Sequence, residues 1–307
     1  MPTNQVIIIA GPTASGKSKL AIDTAVALKS VVINADSMQV YKDIPIITAA
    51  PSAEDKEKIP HHLYEIYDPS FRGNVALWLE SATNEIKTAW QKSQIPVIVG
   101  GTGLYIENLI QGVSPIPETP ADIQQTVQQL IDQNGITFLY QQLQEKDPSS
   151  AKRLAPNDTS RVKRAYEVLL ATGKPMSAWR KLPLIQKLPE AKFFVIKICP
   201  SVEELDTLSY YRFDKMVEMG CIDEVQKLYK RKLNPTLPAM KALGVPELIE
   251  YLSGKTNVYQ AVQNAKLHTR QYCKRQRTWF KNRLTADFEL KECYKGCFPN
   301  EILEHLQ

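Results

Sequence analysis

The sequence predicts an α/β fold on a parallel sheet, because short apolar runs alternate with helix-like segments along its first hundred residues. Three β-rich runs lie at residues 5–10, 31–35 and 95–99, with helical spacing at residues 19–28 and 76–92. Strands that alternate with helices favour a parallel sheet. Ligands bind beyond the carboxyl ends of such strands, so the residues after each run are the first candidates for a site.

Each element of this core has its own signal. The first run enters a glycine-rich loop, and the second ends at Asp36 and Ser37. The segment at 76–92 has apolar residues at helical spacing, among them Trp78 and Ile86. The third run ends in two glycines followed by Thr102.

The pattern then changes. A proline-rich linker at 112–120 precedes helical segments up to residue 180, a second proline-bounded connector lies at 183–189, and a strand-like run follows at 193–199. Residues 202–283 read as helical. We therefore expect an α/β core at 1–112 and 191–284, a helical insertion domain at 113–190 and a C-terminal tail at 285–307.

Composition favours an ordinary globular protein. The chain has 307 residues, 43% of them hydrophobic, and a net charge of +5. No apolar stretch approaches the roughly 20 residues of a membrane span, so we expect a cytoplasmic protein that does not bind membranes. The five cysteines are scattered, which favours free thiols over a disulfide framework or a metal site.

The glycine-rich loop after the first strand fits the pattern G-x-x-x-x-G-K-[ST] of a phosphate-binding loop. Its backbone N–H groups and the following helix N-terminus would surround phosphate oxygens, Lys17 would reach the terminal phosphates, and Ser18 would help to hold Mg²⁺. ATP hydrolysis, phosphoryl transfer and departure of a diphosphate all require phosphate binding of this kind, so the loop alone does not identify the reaction. The residues of the predicted diphosphate- or nucleotide-binding loop are Gly11, Pro12, Thr13, Ala14, Ser15, Gly16, Lys17 and Ser18.

Asp36 and Thr102 are candidate catalytic residues because each follows a predicted strand. Asp36 could be a partner of Mg²⁺, a general base or a helix-capping aspartate. Thr102 lies in a glycine-rich loop that allows close approach of a substrate, and it could equally cap the next helix.

A basic stretch near the C-terminus favours a nucleic-acid partner. No acidic residue occurs between Lys255 and Ala286, and aromatic residues lie among the cations. Steps of three and four residues would place the cations on one helix face, where they could contact a phosphate backbone. This predicted basic stripe consists of Lys266, Arg270, Lys274, Arg277 and Lys281.

An ordered set of motifs resembles the tRNA dimethylallyltransferases, also called tRNA isopentenyltransferases. It spans nearly the whole chain up to Arg283. The motifs are GPTASGKS (11–18), DSMQVY (36–41), PHHL (60–63), VGGTGLYI (99–106), RLAPND (153–158), EVLLATGKPMS (167–177), RFDKMVEMGCIDEV (212–225), MKALGVPEL (240–248) and TRQYCKRQRTWF (269–280).

The resemblance implies a P-loop NTPase-like or kinase-like core with a helical insertion that embraces the anticodon stem-loop. It implies transfer of a dimethylallyl group from dimethylallyl diphosphate to the exocyclic amine of the adenosine 3′ of the anticodon, in tRNAs reading codons that begin with U. In this role Asp36 would remove the amine proton and Thr102 would position the amine. Lys17, Arg212 and Mg²⁺ at Ser18 would stabilise the departing diphosphate.

The resemblance also implies a set of tRNA contacts, and the flipped adenine would lie in a pocket formed by the residues after Asp36. This chain departs from the family's usual residues at Ile47, Ala50, Gln124, Ser160 and Pro246. The predicted tRNA-binding residues are Asp36, Ser37, Met38, Gln39, Thr102, Gln124, Ser160, Arg161, Val162, Lys163, Arg164, Lys241, Lys274, Arg275, Gln276, Arg277, Thr278, Trp279, Phe280 and Lys281.

Three alternatives share the phosphate loop. The first is prenylation of free adenine nucleotides, the second a small-molecule kinase that uses ATP, and the third a regulatory RNA-binding NTPase. The helical insertion and the basic stripe favour a tRNA acceptor over all three, and we expect the enzyme to act as a monomer.

Overall fold

The computed structural model describes residues 4–299 and 301–304 and divides the chain into two compact units. The first unit contains residues up to Ile110 and from Leu188 onward, and the second spans residues 111–187. Within the described residues, six parallel strands form one sheet in the order β3-β2-β4-β1-β5-β6. The strands are β1 (Gln5–Ala10), β2 (Val32–Asn34), β3 (His61–His62), β4 (Val97–Gly100), β5 (Lys192–Ile198) and β6 (Phe288–Leu290).

The helices follow the strands in the alternation that the sequence predicts. Those before residue 112 are α1 (Lys17–Ala27), α2 (Pro45–Thr48), α3 (Ala53–Lys58), α4 (Val75–Gln91) and α5 (Gly103–Gln111). The second unit contains α6 (Ala121–Lys146), α7 (Pro148–Ala151), α8 (Thr159–Thr172) and α9 (Met176–Trp179). The remainder are α10 (Val202–Glu218), α11 (Cys221–Lys230), a 3₁₀ turn (Ala239–Lys241), α12 (Val245–Leu252), α13 (Val258–Arg283) and α14 (Glu301–Glu304).

The central strand β1 has the burial pattern that is typical of a parallel sheet. Its residues 6–10 are all fully buried, as expected of a strand with both sheet faces covered. Apolar residues of α1, including Leu20 and Ala25, pack in the same core as Ile7 and Ile9. The predicted α/β fold with a parallel sheet is confirmed.

Part of the predicted C-terminal tail, residues 285–307, belongs to this sheet. Strand β6 pairs in parallel with β5, aligning Phe288 with Ile196. Two short edge strands, β3 and β6, were missed because their two and three residues are only partly buried and carry little apolar signal.

The second unit has a helical core of its own. Val127, Leu139 and Leu143 of α6 pack against Val162 and Ala165 of α8. Gly135 adopts φ 76° and ψ 167° and interrupts α6. An antiparallel bridge between Val113 and Ile185 joins the two ends of this segment.

A second apolar cluster of the first unit lies among the later helices. Phe213 of α10, Val225 of α11 and Ala265 of α13 pack there with Ile44 and Ile47 at α2. This cluster brings α10 and α13, which are distant in sequence from the phosphate loop, into the same unit as the sheet.

A close backbone approach joins the ends of β2 and β4. A Cβ atom added at Gly100 would lie 2.1 Å from the carbonyl oxygen of Ala35. The N–H of Thr102 donates to that same carbonyl oxygen at 3.3 Å. The glycine therefore allows the residues after the two strands, Asp36 and Thr102, to lie next to each other.

We expect the Gly100→Ala substitution to lower the free energy of unfolding by about 3 kcal/mol. The added Cβ would clash with the backbone of Ala35, which cannot move aside as a flexible side chain could. Gly173→Ala is the matched control, since Gly173 has φ 66° at the end of α8 and no atom within 4 Å of an added Cβ. The control should cost only about 1 kcal/mol, from backbone strain alone. Chemical denaturation measures both, and equal losses would contradict this view of Gly100.

Candidate active site

The phosphate-binding loop connects β1 to α1 and has two residues in the left-handed region. Ala14 has φ 67° and Gly16 has φ 84°, and Gly16 is the N-cap of α1. The N–H of Ser15 donates to the carbonyl of Pro12 at 3.4 Å. This tight turn delivers Lys17 to the carboxyl edge of the sheet at the first residue of the helix.

A cavity of about 320 Å³ lies at this edge, entirely within the first unit. It combines the charged residues of the loop with an apolar wall from α2, α10 and the 3₁₀ turn. Its lining includes Thr13, Lys17, Ser18, Asp36, Ser37, Met38, Gln39, Ile47, Thr48, Ser209, Arg212, Phe213, Met216, Lys241, Ala242, Leu243, Thr269, Tyr272 and Arg275.

Four cations line this cavity, and two of them, Lys17 and Arg212, have pKa values that burial lowers. The pKa of Lys17 is lowered to about 8, mainly by burial and to a smaller extent by the charge of Arg212, while Asp36 acts in the opposite direction. Burial also lowers the pKa of Arg212, whose buried Nε has no hydrogen-bond partner among the described residues. The Lys17 ammonium donates to the Pro12 carbonyl at 3.2 Å. The site therefore has a deficit of negative charge, which an anion would correct.

Asp36 is held in a short turn at the end of β2. Its N–H donates to Asn34 Oδ1 at 2.7 Å, and its own Oδ1 accepts from the N–H of Met38 at 2.9 Å. The Asn34 amide also donates to the carbonyl oxygens of Asp36 and Leu63, both at 3.0 Å. The turn fixes the carboxylate at the cavity while leaving Oδ2 without a hydrogen bond in the described residues.

Thr102 contacts the neighbouring residue of this turn. Its Oγ1 accepts from the N–H of Ser37 at 2.9 Å and donates to Ser37 Oγ at 3.2 Å. Thr102 is not among the residues that line the cavity, whereas Ser37 is. Thr102 thus holds the turn that contains Ser37, and its role in positioning a substrate amine stays a prediction.

Gln39 and Glu224 fix the wall of the cavity at α2. Glu224 is buried on α11 and accepts from the N–H groups of Ile46 and Ile47, each at 2.8 Å. At the other end of α2, Gln39 Nε2 donates to the carbonyls of Thr48 and Ala49 at 3.0 and 2.6 Å. The amide donors of Gln39 are thus already used within the protein.

Helix α13 contacts the phosphate loop from the outside. Gln276 is 5% exposed, accepts from the N–H of Thr13 at 2.8 Å and donates to the Gly101 carbonyl at 2.8 Å. It therefore ties the loop after β1 to the loop after β4. Trp279 lies against Gly103, where an added Cβ would meet its ring at 2.4 Å.

Burial corrects three of the predicted tRNA contacts. Gln276 bridges two loops, Phe280 is 1% exposed in the core, and Val162 is fully buried among the helices of the second unit. Their side chains cannot reach RNA. The helical spacing of a basic stretch does not reveal which of its intervening residues face inward.

The predicted basic stripe is also not a continuous free surface. Lys266 pairs with Asp214, and Arg270 pairs with Asp206 at 2.6 Å. Arg277 donates to the Pro200 carbonyl at 2.8 Å. Lys274 and Lys281 are exposed and form no ion pair among the described residues, and the exposed Arg275 lies over the Tyr272 ring. Lys274 and Arg275, together with Thr278, Trp279, Asn282 and Arg283, surround a shallow groove at the end of α13.

The predicted contacts in the second unit lie at the start of α8. Ser160 and Arg161 are exposed, and Arg161 is 3.5 Å from Asp158. Lys163 and Arg164 both lie near the buried Glu167, at 3.8 Å each, and Lys163 also donates to Gln128. The exposed Gln124 donates to the Thr119 carbonyl at 2.8 Å.

Sequence reasoning missed several residues of the cavity wall, including Ser209, Phe213, Thr269 and Tyr272. Burial raises the pKa of Tyr272 to about 12, so its hydroxyl keeps its proton beside Asp36. Thr269, Tyr272 and Gln276 recur at helical spacing, which was the available signal that one face of α13 is directed inward.

Together the loop after β1 and the order of the parallel strands define a P-loop protein. The IPP transferase model matches residues 39–283, and the isopentenyl transferase model matches residues 4–67. The chain belongs to the IPP transferase family, which confirms the resemblance predicted from the motifs.

Several relatives are similar over most of their length. A protein named tRNA dimethylallyltransferase from Rhodospirillum centenum is 42% identical over 92% of this chain and 90% of its own. A tRNA isopentenylpyrophosphate transferase of Staphylococcus epidermidis is 32% identical with a TM-score of 0.69, covering 98% of both chains. A eukaryotic dimethylallyltransferase crystallised while acting on tRNA is 31% identical with a TM-score of 0.76, covering 90% of this chain and 69% of that one.

Two further expectations concern membranes and thiols. No helix in the described part of the chain is both long and apolar enough to cross a membrane. The five cysteines are free thiols, and the described residues contain no group of three or more metal-ligating side chains.

We expect binding of an alkyl diphosphate to take up protons near pH 8.5. Lys17 is partly neutral there because burial lowers its pKa to about 8, and a bound anion would raise that pKa again. Affinity should therefore fall as the pH rises from 7 to 9.5. Titration calorimetry in two buffers of different ionisation enthalpy measures the uptake.

Lys17→Arg is the matched control, because a guanidinium keeps its charge throughout this range. Burial raises the pKa of Cys273 to about 11 and that of Tyr272 to about 12, so neither neighbour titrates near pH 8.5. Proton uptake that persists unchanged in the Lys17→Arg variant would exclude Lys17 as its source.

Proposed function

We propose that this protein transfers a dimethylallyl group from dimethylallyl diphosphate to the exocyclic amine of an adenosine in tRNA, releasing diphosphate. The adenosine is the one on the 3′ side of the anticodon, in tRNAs that read codons beginning with U. One observation carries the proposal: a carboxylate, Asp36, lines the same cavity as two buried cations, Lys17 and Arg212. The family and the names of its relatives supply the chemical class.

The two cations would stabilise a departing diphosphate more than a bound diphosphate that does not react, because the negative charge on the diphosphate increases as it leaves. In the reaction a C–N bond forms at the allylic carbon while the bond from that carbon to the diphosphate oxygen breaks. Negative charge accumulates on the diphosphate as it departs, and Lys17 and Arg212 stabilise that charge in a cavity with limited access to water.

Asp36 suits the acceptor side of the reaction. An adenine amine is a poor nucleophile because its lone pair is delocalised into the ring. Asp36 accepts its proton as the new bond forms, and the turn through Asn34 and Met38 holds the carboxylate still. Ser37, Met38 and Gln39 form the adjacent wall against which the flipped adenine lies.

Magnesium fits this site on the chemistry of its donors. Ser18 and Asp36 are oxygen donors that line the same cavity, and Mg²⁺ commonly binds through one or two protein oxygens together with substrate phosphates and water. We propose that Ser18 holds the ion against the diphosphate. When bound, it would neutralise charge on the leaving group.

The exposed cations at the end of α13 suit the tRNA backbone. Lys274 and Arg275 line the shallow groove with Thr278 and Trp279. Lys281 is exposed on the same helix, and Lys241 lines the cavity. In the second unit, we propose that the exposed Ser160 and Arg161 contact the anticodon stem-loop. Lys163 and Arg164 lie beside them.

The direct test is incubation with labelled dimethylallyl diphosphate, Mg²⁺ and unmodified tRNA, followed by digestion of the RNA. We expect prenylated adenosine in the digest and no reaction with free AMP at comparable concentrations. Label in AMP but not in tRNA would favour the nucleotide-prenylating alternative, and ATP consumption without RNA labelling would favour a kinase or NTPase.

Asp36→Asn should lower turnover by about 10²–10⁴-fold, the usual contribution of a general base, with little change in tRNA affinity. Asparagine keeps the oxygen that accepts from Met38, so the turn is preserved and only the proton acceptor is lost. Single-turnover kinetics and filter binding measure the two quantities. An equal loss of turnover and binding would make Asp36 a structural residue.

The salt dependence of tRNA binding should depend on Lys274 and Lys281. Replacing both by Gln should reduce the slope of log affinity against log salt by about 2, because each lost phosphate contact lowers it by roughly 1. The control pair is Lys266→Gln with Arg270→Gln, whose cations are already paired with Asp214 and Asp206. A larger change of slope in the control pair would indicate that the RNA contacts the part of α13 around Lys266 and Arg270.

A further inference from the structure

A C-terminal segment lies directly behind the phosphate-binding loop. This clamp segment, residues 291–296, follows β6 and begins eight residues after the last position that the family model matches. Cys293 and Tyr294 are buried, whereas the residues on either side of them are exposed. The two buried residues are therefore the part of the segment that contacts the rest of the unit.

Consecutive backbone N–H groups of the clamp segment bind two different elements. The N–H of Tyr294 donates to the carbonyl of Ser15 in the phosphate loop at 3.0 Å. The N–H of Cys293 donates to the carboxylate of Glu204 on α10, at 3.3 Å to each oxygen. The segment thus connects the loop to the helix that carries Arg212.

The side chain of Tyr294 adds a third connection. Its hydroxyl donates to Asp23 Oδ2 on α1 at 2.6 Å, and its ring packs in the core beside Leu20 and Ala21. Helix α1 begins at Lys17. One residue of the clamp segment therefore contacts both the loop that precedes Lys17 and the helix that follows it.

The fit at Gly16 shows how closely the segment approaches the loop. A Cβ atom added at Gly16 would lie 2.2 Å from the carbonyl oxygen of Tyr294. Gly16 also needs its positive φ of 84° to turn the chain into α1. The loop conformation and the position of the clamp segment thus constrain each other.

We infer that the clamp segment is a positioning element of the diphosphate site, which sets the spacing of Lys17 and Arg212. Two cations in one cavity repel each other, so the elements that carry them must be held together by contacts elsewhere in the unit. The clamp segment supplies such contacts through its hydrogen bonds to Ser15 and Glu204. This inference rests on the proposed function only in taking the ligand to be a diphosphate.

The test is Tyr294→Pro, which removes the N–H that donates to Ser15 and sets a ring carbon against that carbonyl. We expect the dissociation constant for dimethylallyl diphosphate to rise at least about 10-fold, with tRNA affinity changed by less than about 2-fold. Equilibrium binding is measured at a temperature where circular dichroism shows the variant to be folded.

Ile302→Ala is the matched control, because Ile302 is fully buried in the same core cluster as Tyr294. Within the described part of the chain it makes no hydrogen bond to the phosphate loop. It should lower the melting temperature without weakening diphosphate binding. Equal weakening in both variants would overturn the inference, because the segment would then act through stability alone.

A second variant keeps the inference testable if Tyr294→Pro does not fold. Tyr294→Phe loses only the hydrogen bond to Asp23, and we expect the diphosphate to bind about 2- to 5-fold more weakly. The control is Lys291→Ala, an exposed position of the same segment, which should bind like the wild type. Unchanged binding in Tyr294→Phe would then overturn the inference. Failure of the wild-type protein to bind the diphosphate would instead contradict the proposed function.

Discussion

The placement of two buried positive charges in one cavity is the constraint on which the site depends. Lys17 and Arg212 come from distant parts of the chain, and burial lowers the pKa of both. Bringing like charges together out of water is costly unless an anion accompanies them. Asp36 and the Pro12 carbonyl supply part of the compensation, and the remaining deficit makes the cavity selective for a ligand that carries several negative charges.

The rest of the first unit holds these groups in place. The close approach of Ala35 to Gly100 brings the Asp36 turn beside Thr102. Gln276 ties the phosphate loop to the loop after β4, and Glu224 with Gln39 fixes both ends of α2. Most of these polar contacts join elements that are far apart in sequence, and all of them are made within the protein itself.

The local parts of this site could be predicted from the sequence, and the long-range parts could not. The loop at 11–18, Asp36 and Thr102 follow strands whose apolar character is plain in the sequence, and sheet topology brings strand ends together. The ion pairs of Lys266 and Arg270 with α10 could not be foreseen, because a periodic pattern shows which residues share a helix face but not what packs against that face. For the same reason Gln276 and Phe280 were misread as RNA contacts, and the short strand β6 gave too weak a signal to join the tail to the sheet.

The central claim is that the phosphate loop holds a leaving group, so that reaction occurs at carbon and not at phosphorus. Dimethylallyl diphosphate carrying ¹⁸O in the bridging position between C1 and phosphorus tests this directly when turned over with tRNA. The account predicts that all of the ¹⁸O is released in diphosphate and that the modified adenosine contains none. Retention of ¹⁸O on the prenyl group, or a phosphorylated acceptor, would contradict it.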